Sequence, residues 1–218
     1  MKKIFLPLLI ATSICYSATA QDDKFMKAME PKVVAVDTAR KTEDLLALSA
    51  AFERIGDAEK TKWLPYYYAA LTQVNAAYFM GMENMKADKT DPIADKAEAL
   101  INKADALNPN NSEIYVVKKM VASLRMMGDP MNRFMQYGPI AEQALQTAIK
   151  LNPENPRIYL LQGQDKFYTP EQYGGSKTEA KKLFDEANKK YAAFKPASSI
   201  EPNWGRPTVQ FFLSQLNN

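Results

Sequence analysis

The sequence predicts an all-α fold built from antiparallel helix pairs, and two observations carry that prediction. A phrase of the form Leu-Asn-Pro-x-Asn-x-x-Ile-Tyr begins at Leu107 and again at Leu151. Its Asn-Pro ends a helix, because the residue before a proline avoids the α region and proline has no N–H to donate. The second observation is an Ala-x3-large-x2-Ala pattern, which starts at Ala97, Ala141 and Ala180. Alanines at this spacing share one helix face and allow a neighbouring helix to approach closely.

The first element is a predicted secretory signal peptide over residues 1–20. Two lysines precede a short apolar stretch, and Ala18-Thr19-Ala20 has the form of a cleavage site. The apolar stretch is too short to span a bilayer. Lipidation at Cys15 is the alternative, but Ile14 stands where a lipoprotein signal carries a small residue. We therefore expect a periplasmic or secreted protein.

The composition excludes several classes of function for the mature chain. The protein has no histidine, and its one cysteine lies in the predicted leader. Zinc sites, Ser-His-Asp triads and Cys-His pairs are therefore excluded. The formal charge of +3 falls to +1 when the two leader lysines are removed, which leaves no basic excess for nucleic acid. We expect no enzyme, no cofactor, no nucleic-acid partner and no membrane span.

The N-terminal part of the mature chain, residues 24–90, is predicted to form degenerate helix pairs. A helix over 24–38 is followed by one over 42–56, whose apolar residues form a single stripe. A long apolar helix over 63–85 comes next. Its Tyr66-Tyr67-Tyr68 triplet is assigned to the core, with a stacking surface for a ligand as the alternative.

Clearer repeats are predicted over residues 91–195. Extended turns inside two of the helix pairs are expected at 128–139 and 168–177, which are rich in glycine, proline and polar residues. Gly174 and Gly175 invite a phosphate-loop interpretation, but GxxxxGK[ST] is absent and no strand precedes them. We interpret the two glycines as a structural turn that leads into the next helix.

The last segment, residues 196–218, is predicted to be a loop followed by a capping helix. The loop contains proline, serine and Trp204, and residues 208–216 form a short amphipathic pattern. A helical solenoid needs such a cap to cover its last apolar face. The sequence thus predicts one helical domain over 21–218.

The alanine pattern, followed twice by a proline at Pro109 and Pro153, resembles the second helix of the tetratricopeptide repeat family. The first-helix half is degenerate: Tyr159 and Gly163 match it, whereas Lys119 replaces the glycine one repeat earlier. The phrases EIY, RMMGDPM, FYTPEQYGG and PNWG are similar to those of secreted tetratricopeptide-like proteins of Bacteroidota. These resemblances imply an α-solenoid in an envelope compartment.

In the repeat family the first helix of each pair lines a concave groove, and the resemblance implies which residues face it. These residues are Glu113, Val116, Met120, Arg157, Leu160, Gln164, Phe167 and Tyr168. We predict a periplasmic scaffold or adaptor that binds a protein or peptide in this groove. The alternative is a small-ligand-binding accessory of an envelope transport system. An enzyme would have only carboxylates, lysines and tyrosines for its chemistry.

Overall fold

The structure is a computed structural model that describes residues 8–217, with side chains from Asp22 onward except that of Met82. These residues form nine α-helices and no strand, which confirms the predicted all-α class. The helices are α1 Leu8–Thr38, α2 Thr42–Glu59, α3 Trp63–Tyr78, α4 Ala87–Leu107, α5 Ser112–Met127, α6 Pro130–Leu151, α7 Pro156–Tyr168, α8 Lys177–Ala193 and α9 Arg206–Leu216. The predicted signal peptide lies outside the residues whose side chains are described, and it stays a prediction.

Consecutive helices run antiparallel, as α5 and α6 show at both ends. At one end the Ser112 hydroxyl donates to the Ala148 carbonyl over 3.0 Å. At the other end Arg133 Nη1 donates to the Arg125 carbonyl over 3.3 Å. Because every second helix then points the same way, the C-termini of α3, α5 and α7 meet at one end of the molecule. In the described part of the chain, no helix is both long and apolar enough to cross a membrane.

The repeated phrase forms the joints before α5 and α7. Asn111 and Asn155 are the N-caps, and their side chains accept from the backbone N–H groups of Glu113 and Arg157. The second joint is also tied to the first: the buried Asn155 amide donates to Ser112 Oγ over 3.1 Å and to Glu113 Oε1 over 2.8 Å. The phrase therefore ends one helix, starts the next and fastens neighbouring pairs together.

One of the two predicted long turns is wrong. The segment 128–139 is almost entirely helical, because α6 begins at Pro130. Proline is favoured in the first helical turn, where its missing N–H would have no partner anyway. Pro139 lies inside α6. The predicted helix over 63–85 also ends earlier, at Tyr78, and a short 3₁₀ turn over Met82–Asn84 leads to α4.

The other predicted long turn, between Tyr168 and Lys177, is present. Gly174 has φ of 91°, which favours glycine. A Cβ on Gly175 would overlap the carbonyl oxygen of Thr169. The two glycines are thus needed for different reasons, and both belong to the turn. Ser176 caps α8 by accepting from the Glu179 N–H over 3.2 Å.

Helix α9 covers the apolar face of the last helix pair. Val209, Phe212 and Leu213 are its buried residues, and they pack with Phe184 of α8 and Leu160 of α7. The segment between α8 and α9, residues 194–205, is called the strap below. It runs back along the molecule, so that Ile200 joins the core formed by the earlier helices.

Candidate functional site

One buried polar network joins Tyr67 of α3 to Glu113 and Arg157, the second residues of α5 and α7. Arg157 Nε donates to Glu113 Oε2 over 2.7 Å, and Tyr67 Oη donates to the same oxygen over 3.1 Å. Arg157 is fully buried. Burial disfavours its charged form, but the Glu113 carboxylate holds the pKa of Arg157 above its usual range. Arg157 therefore stays charged, and its hydrogen bonds to Glu113 join α7 to α5.

The strap lies on this network and covers it. Trp204 Nε1 donates to Tyr67 Oη over 2.7 Å, and Tyr68 Oη donates to the Ile200 carbonyl over 3.0 Å. Tyr191 Oη of α8 donates to the Trp204 carbonyl over 2.9 Å. The guanidinium of Arg157 also lies 5.7 Å from the Trp204 ring centroid. The strap therefore covers the buried network with the protein's own chain.

The predicted peptide groove needs correction for this reason. Its residues Val116, Met120, Arg157 and Leu160 are all buried, with 3% exposure or less. Close packing of α3, α5 and α7 and the strap above them leave no room there for an extended peptide. The remaining predicted residues differ in exposure: Glu113, Gln164 and Phe167 are partly buried, whereas Tyr168 is 68% exposed.

Exposed hydrophobic side chains concentrate at the end of the molecule opposite the Arg157–Glu113 pair. Eleven large hydrophobic side chains are exposed among the described residues, and seven of them lie where the C-termini of α3, α5 and α7 meet. The seven are Tyr78, Phe79, Met131, Phe134, Met135, Tyr168 and Tyr173. We call this region the aromatic end. Clustered exposed apolar groups of this kind mark binding surfaces.

A well-defined group of rings around Phe212 of α9 adjoins the aromatic end and shares Tyr168 with it. The Phe212 ring stacks on Phe184 at a centroid distance of 4.7 Å and meets Phe167 edge-on at 5.0 Å. Tyr168 and Phe211 lie beside it at 5.8 and 5.5 Å. We call these five rings the Phe212 cluster. Its base is buried, while Tyr168 and Phe211 are 68% and 56% exposed. The cluster therefore offers a flat apolar ligand two exposed rings that rest on a buried aromatic base.

Polar groups lie on the preceding turn of α7 and on α5 and α3. Lys119 Nζ of α5 pairs with Asp165 of α7 over 2.6 Å. Burial, together with the Asp165 charge, raises the pKa of the Tyr78 phenol, and partial burial raises the pKa of Tyr168. Both phenols therefore stay protonated at neutral pH and can donate a hydrogen bond to a ligand.

Two open grooves lie elsewhere on the molecule. One, between α1 and α2, has a volume of about 480 Å³ and includes Lys24, Lys32 and Arg54. The other, over α5 between α4 and α6, has a volume of about 370 Å³ and includes Lys118, Arg125 and Tyr137. Both cations of the second groove already pair with carboxylates inside the molecule. The grooves lack the stacked rings of the aromatic end.

Sequence reasoning named two members of the Phe212 cluster, Phe167 and Tyr168, and missed the others. It treated α9 only as a cap. The adjacent Phe211 and Phe212 carry a signal that was available, because neighbouring residues on a helix point about 100° apart. When the capping helix buries Phe212, the neighbouring Phe211 must point toward the edge of the buried surface.

Comparison with known proteins gives one informative match. No protein-family model matches the chain, so the tetratricopeptide resemblance stays a resemblance. No curated protein matches it either. Among solved structures, the chain is similar to the HusA haemophore from Porphyromonas gingivalis, with a TM-score of 0.77 and 31% identity. The match covers 88% of this chain and 92% of the haemophore.

Proposed function

Because the chain belongs to the family of the HusA haemophore, we propose that it is a haem-binding protein. The observation that carries the proposal is the 31% identity over nearly the whole of both chains. It favours the small-ligand alternative over the protein adaptor that the repeat pattern alone predicted. The predicted leader supports a site of action in the periplasm or outside the cell. A binding protein rather than an enzyme is also what the residue composition favours.

We place the porphyrin on the Phe212 cluster. A porphyrin is a flat aromatic macrocycle, and its faces favour stacked or edge-on contact with aromatic rings. The cluster offers the exposed rings of Tyr168 and Phe211 on a buried base formed by Phe184 and Phe212. The Tyr78 phenol of α3 lies within the influence of the Asp165 charge of α7 and would supply a hydrogen-bond donor.

The iron would contribute little to recognition at this site. Haem iron is held in proteins by histidine, cysteine thiolate, methionine or tyrosinate. Histidine is absent, and the one cysteine lies in the predicted leader. The exposed Met131 and Met135 lie on α6, outside the Phe212 cluster. The raised pKa values of Tyr78 and Tyr168 disfavour the phenolate form that iron would need. We therefore expect the protein to hold the macrocycle itself and to bind metal-free porphyrin as well as haem.

Absorbance titration of the purified protein with haemin, and then with protoporphyrin, tests the proposal. The combined Tyr168→Ala and Phe211→Ala variant should bind about tenfold more weakly or worse, because two stacking rings are lost. Leu107→Ala, an exposed apolar position at the other end of the molecule, serves as the matched control. Tyr137→Ala probes the groove between α4 and α6.

The outcomes separate the alternatives. A loss caused by Tyr137→Ala and not by the Tyr168 and Phe211 changes would move the site to that groove. A native protein that shifts neither the haemin nor the protoporphyrin spectrum would overturn the proposed function. In that case the adaptor hypothesis would again be the better one.

A further inference from the structure

We propose that Lys177 binds a free carboxylate of the ligand, so that the protein selects planar macrocycles that carry an ionised carboxylate arm. This inference rests on the proposed function and adds to it the polar anchor of the same site. Lys177 is the first residue of α8 and follows the cap residue Ser176, which comes after the two turn glycines. Its side chain belongs to the edge of the Phe212 cluster, as its contacts show.

The position of the ammonium group is well defined. Lys177 Nζ lies 3.5 Å from the ring centroid of Phe167. That ring in turn lies 5.2 Å from the Tyr168 ring and 5.0 Å from the Phe212 ring. A macrocycle stacked against Tyr168 and Phe211 would therefore bring its edge substituents within reach of this ammonium group.

The charge of Lys177 is available, unlike those of the other lysines on the same helix. The remaining four lysines of α8 all lie within 4.0 Å of a carboxylate: Lys181, Lys182, Lys189 and Lys190. Among the described residues, no carboxylate comes that close to Lys177. Its contact is the face of an aromatic ring, which is weaker than a charge-assisted hydrogen bond to a carboxylate. A ligand carboxylate would therefore displace the ring contact.

Two probes distinguish the carboxylate from the macrocycle: protoporphyrin, with two free propionates, and its dimethyl ester, with none. Fluorescence titration should show that the native protein binds the ester about tenfold more weakly than the acid. Lys177→Met should weaken binding of the acid by about tenfold and leave binding of the ester unchanged. The methionine keeps the apolar contact with Phe167, so the fold should be unaffected, as circular dichroism can verify.

Lys182→Met is the matched control, because Lys182 lies on the same helix and pairs with Glu179 over 2.8 Å. It should change neither affinity. Equal binding of acid and ester by the native protein would overturn this inference, as would a Lys177→Met variant with native affinity for the acid. Both results leave the proposed function standing. A native protein that binds neither probe would instead overturn the proposed function together with the inference.

Discussion

Asn155 shows how much one side chain can hold together in this fold. Its side-chain oxygen Oδ1 caps α7 by accepting from the Arg157 N–H. Its side-chain NH₂ group donates to Ser112 Oγ and Glu113 Oε1 of the preceding helix pair. Asn111, at the equivalent point of the first joint, makes only the cap bond to the Glu113 N–H. The two copies of one phrase therefore differ in what they stabilise.

Replacing each asparagine by alanine should reveal this difference. Asn111→Ala loses a cap and should lower the free energy of unfolding by about 1 kcal/mol. Asn155→Ala should cost about 2–4 kcal/mol, since it also leaves buried polar partners unsatisfied. Urea unfolding at pH 7 measures both values. Equal losses would show that the amide bonds of Asn155 contribute nothing net.

The buried ion pair between Arg157 and Glu113 should behave as a unit. Arg157→Met strands a carboxylate that is only 13% exposed, and we expect a loss of about 3–5 kcal/mol. The double variant Arg157→Met with Glu113→Leu should cost clearly less than the two single changes together, because it leaves no unpaired charge. A double-mutant cycle by urea unfolding provides the comparison, and strict additivity would contradict the expectation.

For single residues, the sequence predicted roles within one helix or turn better than contacts between residues far apart in the chain. The Asn-Pro stops end their helices as predicted, and Gly174 and Gly175 lie in the predicted turn. The caps made by Asn111 and Asn155 were not predicted. Glu113 and Arg157 were assigned to an open groove, because a repeat pattern says which helix face a residue occupies but not what covers that face. The strap residue Trp204 lies 47 positions from Arg157 in sequence, and no local pattern connects them.

The packing of α7 on α8 depends on the absence of a side chain at Gly163. A Cβ there would come within 2.5 Å of the Phe184 ring, which is held in turn by its stack with Phe212. Gly163→Ala should therefore cost about 1–3 kcal/mol despite the better helix propensity of alanine. It should also weaken porphyrin binding, because Phe184 supports the Phe212 cluster.

Gly138→Ala in α6 provides the control for thermal unfolding. A Cβ at Gly138 would meet the Phe134 ring at an ordinary 3.6 Å. Alanine there should raise stability by about 0.5–1 kcal/mol, since it lowers the entropy lost on folding. A Gly163→Ala variant as stable as the native protein would show that the ring can move aside.

Helix ends were predicted correctly where a single sequence feature determines them. They were missed where composition and helix packing favour different structures. The Asn-Pro stops correctly ended α4 and α6, because proline cannot continue those helices. Segment 128–139 combines two glycines with two prolines, and composition favoured a turn. Helical packing prevailed there, since Arg133 of α6 pairs with Asp91 of α4 over 2.6 Å and anchors the first turns of the helix.

For the whole molecule, the absence of histidine predicts an unusual pH profile. No side chain has an ordinary pKa between about pH 5 and 8, so stability should be nearly constant there. The buried tyrosines affect stability only at higher pH. Burial raises the pKa of Tyr67 and Tyr68. Burial and the hydrogen bond to Asp57 raise the pKa of Tyr66 to about 12.

A phenol whose pKa is raised in the folded state contributes stability that is fully present below its unfolded pKa of about 10. This stability is lost as the pH rises through the folded values. Melting temperatures should therefore be level from about pH 6 to 8.5 and fall above about pH 10. Tyr66→Phe should reduce this alkaline loss, whereas Tyr173→Phe, at an exposed site, should not. A profile that falls between pH 6 and 8 would contradict the prediction.

At the scale of the whole molecule, the sequence predicted the fold class and the pairing of helices, but four residues of the predicted groove are buried: Val116, Met120, Arg157 and Leu160. Helix patterns identify buried faces, because burial follows a period. The aromatic end exists only because several helix termini meet, and that meeting depends on helix lengths and on where α9 returns. Such an arrangement has no period to detect.

The strap also has a consequence for how the molecule unfolds. In an open repeat array each unit touches only its neighbours, and the ends can fray while the middle stays folded. Here Ser199 reaches Glu30 of α1 over 2.6 Å, and Ile200 holds Tyr68 of α3. These hydrogen bonds connect the strap, which follows α8, directly to α1 and α3. A molecule closed in this way should lose its structure in one cooperative step rather than unit by unit.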